Sequence, residues 1–408
     1  MPLMNFEKQL KATIAEIELQ GMTKANEPVI IGIRKPQGNK GPRFLLGGFG
    51  SKQFIRMNAN SYLGLAFKDR LIKAGEKGVK QFGTGPSSVR FISGTYAPHV
   101  KLEKRLAQFH GREACMLHSS AYTTVLGVLA TLTTPETIII SDELNHNCII
   151  NGMRLARPKD RKVYKHLDMA QLESQIKECI GQCDNVIVIT DGIFSMRGDH
   201  APLDKICELT KKYSDKFPRD IVLIVDDSHG VGVFGKTGRG TEEYTKAQGV
   251  DILIGTLGKG FGVNGGYVVT SKTIITFLRE KNPLYIFTNP INSPEATAAH
   301  EAVSLVDSAE GRKLIAWLHA RTRQFRDGLI SHGYETLPGE HAIVPLIVRD
   351  TEKTNKMVAY LRENGILATG LGFPIVPKGE ETIRFQVCAC HTEYDIDFVL
   401  GVLAEFKS

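Results

Sequence analysis

Lys259 stands in the run Thr256-Leu257-Gly258-Lys259-Gly260-Phe261-Gly262, just past an apolar stretch with strand character. Its small neighbours leave the amine sterically open, and at a desolvated site a lysine's pKa falls far enough to make it a nucleophile. Taken alone, it is an ordinary exposed loop lysine. Asp226 ends another apolar run, where an acid could equally face solvent. Together the two meet one chemical demand. Pyridoxal phosphate needs a lysine for its Schiff base and a carboxylate that keeps its pyridinium nitrogen protonated.

The elements that must position these residues follow from the apolar pattern. Residues 114–120 (ACMLHSS), 137–143 (TIIISDE), 185–195 (NVIVITDGIFS), 221–229 (IVLIVDDSH) and 251–259 (DILIGTLGK) are apolar runs that each end in a polar cluster. Helix-period stretches such as 169–180 and 203–216 lie between several of them. Such alternation predicts an α/β fold with a mostly parallel sheet covered on both faces. Ligands bind such sheets just past the carboxyl ends of the strands. His146, Ser195, Asp226, His229 and Lys259 are thereby aimed at one crevice.

The remainder reads as an arm and a smaller domain. Phe6, Leu10, Ile14 and Ile17 recur at helical spacing before Gly21, which predicts a short amphipathic helix packed on another surface. Residues 26–51 read as turns and short extended pieces. After Pro294 a helical stretch over 295–328 leads to strands at 341–348 and 382–388 and helices at 351–364 and 393–406. The expected division is an arm over 1–58, a large domain over 59–294, and a linking helix with a small α+β domain over 295–408.

Two glycine-rich matches are set aside. Residues 230–237 (GVGVFGKT) satisfy the phosphate-loop pattern, but four polar residues separate them from the strand and Gly238-Arg239-Gly240 follows where a helix should start. Residues 260–265 (GFGVNG) satisfy the dinucleotide pattern. That site needs a helix after the glycines, whereas Gly266-Tyr267-Val268-Val269-Thr270 reads as a strand.

Composition narrows the class further. The 408 residues are 42% hydrophobic with a net charge of +7 spread along the chain, which disfavours disorder and suits anionic small molecules as well as nucleic acid. The seven cysteines form no CxxC pair and no metal-ligand rhythm, so no metal is expected. Scattered thiols suggest a reducing compartment, and no apolar run reaches the ~18 residues of a membrane span. The first twenty residues carry Glu7, Glu16 and Glu18 and no arginine, unlike a signal or transit peptide. The expected location is the cytoplasm.

From about residue 58 to 405 the chain resembles the α-oxoamine synthases, a family of fold-type I pyridoxal phosphate-dependent transferases. The resemblance rests on residues 256–265, on Val225-Asp226-Asp227-Ser228-His229, and on Asp191-Gly192-Ile193-Phe194-Ser195-Met196. Within the family, residues 88–95 (SVRFISGT), Leu144-Asn145-His146 and Val376-Pro377-Lys378-Gly379 are most similar to 2-amino-3-ketobutyrate coenzyme A ligase, also called glycine C-acetyltransferase. The chain departs from the family's pattern at Ala121-Tyr122-Thr123-Thr124-Val125 and at Cys388-Ala389-Cys390.

The resemblance implies pyridoxal 5'-phosphate as cofactor and assigns roles at matching positions. Lys259 would hold it covalently and later move the substrate's Cα proton, and Asp226 would pair with the pyridine nitrogen. His146 would stack on the ring, and His229 and Ser195 would hydrogen-bond around its phenolic oxygen. The backbone amides of Ala121 and Tyr122 would bind the phosphate at a helix start. Thr256 of one subunit and Thr288 of its partner would add hydroxyls, implying a homodimer with a shared site. Asn60 and Arg384 would hold the amino-acid carboxylate.

The expected reaction joins glycine to a short acyl-CoA, acetyl-CoA favoured, with His229 or His146 assisting at the thioester oxygen. The alternative is a synthase for another acyl-CoA or amino acid with decarboxylation, of the 8-amino-7-oxononanoate synthase kind. An aminotransferase or lyase would share the Lys and Asp, and a catalytically inactive partner subunit would lack them. Neither a nucleic-acid partner nor a membrane span is expected.

Overall fold

The computed structural model describes residues 3–19, 23, 27–374 and 376–407; Gly21 and Asn26 lie outside them. The chain divides into two compact units, Asn60–Ala320 and a unit made of Met1–Ala59 with Arg321–Ser408. The boundary expected near residue 294 therefore falls later, and the arm joins the carboxyl-terminal segment. The helix Ser293–Val306 stays with the larger unit because it packs on the helices Asp69–Phe82 and Ala97–His110. Gly78 makes one of those contacts close: a Cβ there would stand 2.8 Å from Pro294 Cα.

The smaller unit begins with the helix Met4–Leu19 and strands β1 (Ile30–Arg34), β2 (Arg43–Leu46) and β3 (Gln53–Arg56). The amphipathic helix forms, but none of its side chains is buried within the chain.

The larger unit holds a seven-stranded sheet. Its strands are β4 (Ala114–His118), β5 (Thr137–Asp142), β6 (Asp160–Tyr164), β7 (Asn185–Asp191), β8 (Ile221–Asp226), β9 (Ile252–Thr256) and β10 (Gly266–Thr270). Their order is β4-β10-β9-β8-β7-β5-β6, parallel except for β10, which runs antiparallel to both neighbours. Every residue of β5, β7, β9 and β10 is buried, as a sheet covered on both faces requires. Each fully buried Ile, Leu or Val contributes roughly 1.5–3 kcal/mol, and these strands are built of them. The strand β6 was not foreseen. It pairs only with β5 at the sheet edge, and its Asp-Arg-Lys opening carries no apolar run.

The carboxyl-terminal segment adds β11 (Glu335–Thr336), β12 (Ile343–Ile347), β13 (Ile366–Leu367), β14 (Thr369–Leu371) and β15 (Thr382–Gln386). They form a sheet ordered β11-β12-β15-β14, and β13 extends the β1-β2-β3 sheet. The helical stretch over 295–328 is two helices, Ser293–Val306 and Ala309–Ser331. They are interrupted at Asp307, whose carboxylate accepts from Arg105 at 2.7 Å and from Arg239 at 2.9 Å. No helix among the described residues is long and apolar enough to cross a membrane.

Candidate active site

The lysine lies in a loop that joins the antiparallel β9 and β10. Leu257 N donates to Gly265 O at 2.9 Å, Val263 N to Leu257 O at 2.9 Å, and Gly262 N to Lys259 O at 3.1 Å. Thr256 Oγ1 accepts from Gly258 N at 3.1 Å and donates to Gly265 O at 3.2 Å. Gly262 has φ +70°, and a Cβ there would stand 2.7 Å from Ala66 N. A Cβ on Gly260 would stand 2.8 Å from Val231 O, so the two glycine-rich segments pack on each other. Neither motif opens a helix in the way its look-alike requires: a strand follows one, and the other wraps a carboxylate.

The 230–237 segment wraps Glu243, which accepts from Thr237 N at 3.0 Å, while Asp227 is a second carboxylate, buried directly after β8. Its oxygens accept from Thr241 N and Thr241 Oγ1, both at 2.6 Å. Cβ atoms on Gly192, Gly230 and Gly240 would come within 2.2, 2.2 and 1.9 Å of it. Burial pushes its pKa up to about 7, against the bonds from Thr241. Asp227 is thus a packed structural acid, and its neighbour Asp226 points the other way. Asp226 Oδ1 accepts from Ser228 Oγ at 2.5 Å and from Ser228 N at 3.2 Å, and Oδ2 accepts from Cys148 Sγ at 3.5 Å.

His146 follows the end of β5 and caps the helix Asn147–Ala156, its Nδ1 accepting from Cys148 N at 3.2 Å. A buried pin sets its height. Asn145 accepts from Asp191 N at 2.7 Å and donates to Ile189 O at 2.9 Å, while Asp191 Oδ2 accepts from His146 N at 2.9 Å. The Cys148 thiol stands 2.9 Å from His146 Nδ1. Burial lowers the His146 pKa, and the Lys259 charge adds to this against the pull of Asp226. Burial, then the Asp226 charge, raises the Asp191 carboxyl well above the usual range. Burial and the same acids push the Cys148 thiol up.

The fourth wall is a helix start. Ser120 caps the helix Ala121–Leu132 by accepting from Thr123 N at 3.2 Å. The first-turn N–H groups of Ala121 and Tyr122 have no carbonyl partner in their own helix, and the helix dipole adds partial positive charge. Gly266 of β10 runs directly beneath them, since a Cβ there would meet Ala121 N at 2.3 Å.

One cavity of about 250 Å³ collects these groups. It is lined by Ser120, Ala121, Tyr122, His146, Cys148, Asp191, Ser195, Asp226, Ser228, His229, Thr256 and Lys259. An amine, a carboxylate, an imidazole face and a helix-start cradle in one enclosure are the donor set that pyridoxal phosphate requires, so the residues fit the group. Among the described residues no group of three or more His, Cys, Asp or Glu could hold a metal.

Three expected residues are not among the lining. Thr288 follows the short helix Pro283–Ile286 and its hydroxyl donates to Leu284 O. Asn60 Oδ1 accepts from Tyr62 Oη at 3.4 Å. Arg384 lies in β15 of the smaller unit. With the Gln386 amide turned so that its carbonyl faces Arg384, that carbonyl accepts from Nε and Nη2 at 2.7 Å. Sequence reasoning had no role for Cys148, Asp191, Ser228 or Tyr62. Asp191 and Ser228 lay inside the quoted motifs, but Cys148 and Tyr62 carried no signal.

Comparison with known proteins identifies the family. A family model described as aminotransferase class I and II matches residues 52–403. The 8-amino-7-oxononanoate synthase of Petrotoga mobilis is 37% identical over 400 residues, 98% of this chain and 97% of that protein. The 2-amino-3-ketobutyrate coenzyme A ligase of Escherichia coli is 40% identical over 345 residues, 84% of each. The structure of Sphingomonas wittichii serine palmitoyltransferase matches with a TM-score of 0.88 at 26% identity, over 98% of this chain and 97% of that one. An SPT structure carrying PLP matches at 0.87 and 26% identity, over 98% and 97%.

Proposed function

Since the chain belongs to the aminotransferase class I and II family, as an α-oxoamine synthase of fold type I, we propose that it joins glycine to a short acyl-CoA, acetyl-CoA first. The products are a 2-amino-3-oxo acid and coenzyme A. The cofactor is pyridoxal 5'-phosphate. The observation that carries the reading is the convergence of Lys259, Asp226, His146 and the Ala121–Tyr122 helix start on one cavity.

When bound, the cofactor supplies an electrophilic carbon for amines and a ring that accepts the electron pair left at Cα. Lys259 Nζ would hold it covalently, and its amine would later be placed to move the substrate's Cα proton. Asp226 keeps a proton on the ring nitrogen, with Ser228 and Cys148 fixing its two oxygens. His146 would offer an imidazole face to the ring. The N–H groups of Ala121 and Tyr122 would hold the phosphate, and Thr256 lines the same cavity. His229 and Ser195 address the phenolic oxygen, and Asn60 and Arg384 take the amino-acid carboxylate. The Cα–H bond and the thioester C–S bond break, a Cα–C bond forms, and the coenzyme leaves as a thiol.

Two further parts belong to this proposal. A homodimer is supported by the place of Thr288, outside its own chain's cavity, beside Phe287 at 75% exposure. A cytoplasmic location is supported by seven cysteines that form no disulfide.

A second reading is favoured by the Petrotoga relative, which matches over nearly the whole chain. In it the chain uses a different acyl-CoA or amino acid, and carbon dioxide is released. Thiol release measured with glycine and alanine against acetyl- to decanoyl-CoA, with carbon dioxide trapping, separates the two. No thiol release with any pair would overturn both. Lys259→Ala is expected to abolish turnover and the visible band of the bound cofactor.

A further inference from the structure

We propose that His166 is a positioning residue that latches together the two loops bringing His146 and Ser195 to the cavity. The inference rests on those two residues facing the cofactor in the reading above, and it involves no acyl donor.

His166 follows the edge strand β6, and its side chain is 13% exposed. Its Nδ1 lies 3.0 Å from Asp142 Oδ1 and its Nε2 3.2 Å from Asp199 Oδ2. A neutral imidazole carries one ring hydrogen and can satisfy only one of these carboxylates. Both contacts are hydrogen bonds only when both nitrogens are protonated, so the geometry gives His166 a positive charge. Burial opposes that charge, but the two carboxylates outweigh it and raise the pKa to about 9. Two other charged groups stand close by. Glu143 accepts from His166 N and from Lys165 Nζ, both at 2.9 Å, and Arg197 Nε donates to Asp199 at 2.8 Å.

Each carboxylate is built into a loop that reaches the cavity. Asp142 ends β5; its Oδ1 also accepts from Leu144 N at 2.9 Å, and its backbone O from Asn145 N at 3.3 Å. His146 follows directly. On the other side, the backbone O of Asp199 accepts from Phe194 N at 3.0 Å, closing the turn that contains Ser195. The rings of Phe194 and His166 meet at 88° with centroids 4.4 Å apart. His146 and Ser195 line the cavity and His166 does not, so it acts through the loops it joins. Loss of one ring hydrogen sets a lone pair against a carboxylate and opens that side of the latch.

The experiment is titration of cofactor-free protein with pyridoxal 5'-phosphate from about pH 7 to about pH 10, with and without His166→Gln. The ratio of the two dissociation constants at each pH cancels the titration of Lys259 and of the cofactor itself. It is expected to be about tenfold near pH 7 and to fall toward one above about pH 9, where the unsubstituted latch loses its proton. A ratio near one at pH 7 overturns the proposal. So does a ratio that stays constant, which is what a merely structural histidine would give. Asp199→Asn breaks one side of the latch without touching the histidine, and covers a His166→Gln chain that does not fold. It is expected to weaken binding several-fold near pH 7, and unchanged affinity overturns the proposal. Nitrogen-15 NMR of histidine-labelled cofactor-free protein, with Asp199→Asn identifying the signal, reads the latch alone. Both His166 nitrogens are expected to be protonated near pH 7, and an unprotonated one overturns the proposal. No acyl-CoA enters either measurement, so failure of the proposed reaction leaves these results to stand or fall by themselves.

Discussion

Ser228 grips Asp226 twice: its hydroxyl donates to Oδ1 at 2.5 Å and its backbone N–H to the same oxygen at 3.2 Å. The carboxylate expected at the ring nitrogen is therefore held in one orientation by the residue two places on. A hydrogen bond to a charged group is worth about 1.5–3 kcal/mol, so Ser228→Ala is expected to weaken cofactor binding about tenfold. Titration of cofactor-free protein checks this. An unchanged affinity would show that the backbone N–H suffices.

The adjacent acids are expected to fail differently. Asp226→Asn should fold normally and lose turnover. Asp227→Ala leaves the Thr241 N–H without its acceptor and opens a void between three glycines. A loss of about 3 kcal/mol is expected from such a buried orphan, read as a fall in Tm and in the denaturant midpoint. Equal stability of the two variants would contradict the assignment of Asp227 as structural.

Gly266 tests the cradle. Replacing it by Ala would place a Cβ 2.3 Å from Ala121 N and from Ser120 C, where only backbone is present to yield. Gly266→Ala is expected to displace the helix start and to lower affinity for the cofactor by about tenfold or more. Affinity for pyridoxal, which lacks the phosphate, should change little. Equal losses for both would place the damage elsewhere.

His166 provides a pH signature. Its Nδ1 lies 3.0 Å from Asp142 Oδ1 and its Nε2 3.2 Å from Asp199 Oδ2, and Arg197 Nε also donates to Asp199. Burial works against the charge, but the two carboxylates outweigh it and raise the pKa from 6.5 to about 9. A folded pKa above the unfolded one gives stability that is complete below the unfolded value and lost as pH rises through the folded value. The Tm is expected to fall between pH 6.5 and 9, and to fall less in His166→Gln. Parallel profiles would sink the idea.

Much of this was legible before any coordinates. The runs at β5, β7, β8 and β9 announced buried parallel strands because β-branched residues fill them without polar interruption. Their polar ends placed Lys259, Asp226, His146, Ser195 and His229 together, and the cavity contains all five. Other features were silent. The edge strand β6 satisfies its backbone on one side only and needs no apolar alternation, so its residues look like a loop. Cys148 owes its place to the turn that starts the helix after His146, which spacing alone does not reveal.

The sequence by itself determined the chemistry available and the order in which it is delivered. Residue type fixes what a side chain can donate, accept or attack, and local periodicity fixes which strand end carries it. Tertiary structure decided the partners. Tyr62 and His229 are 167 residues apart, yet share a buried hydrogen bond. Asp226 and Asp227 are adjacent and identical in type, yet one lines the cavity and the other sits in a nest of glycines. Local pattern cannot encode such choices, because they are made by which distant segments pack against each face.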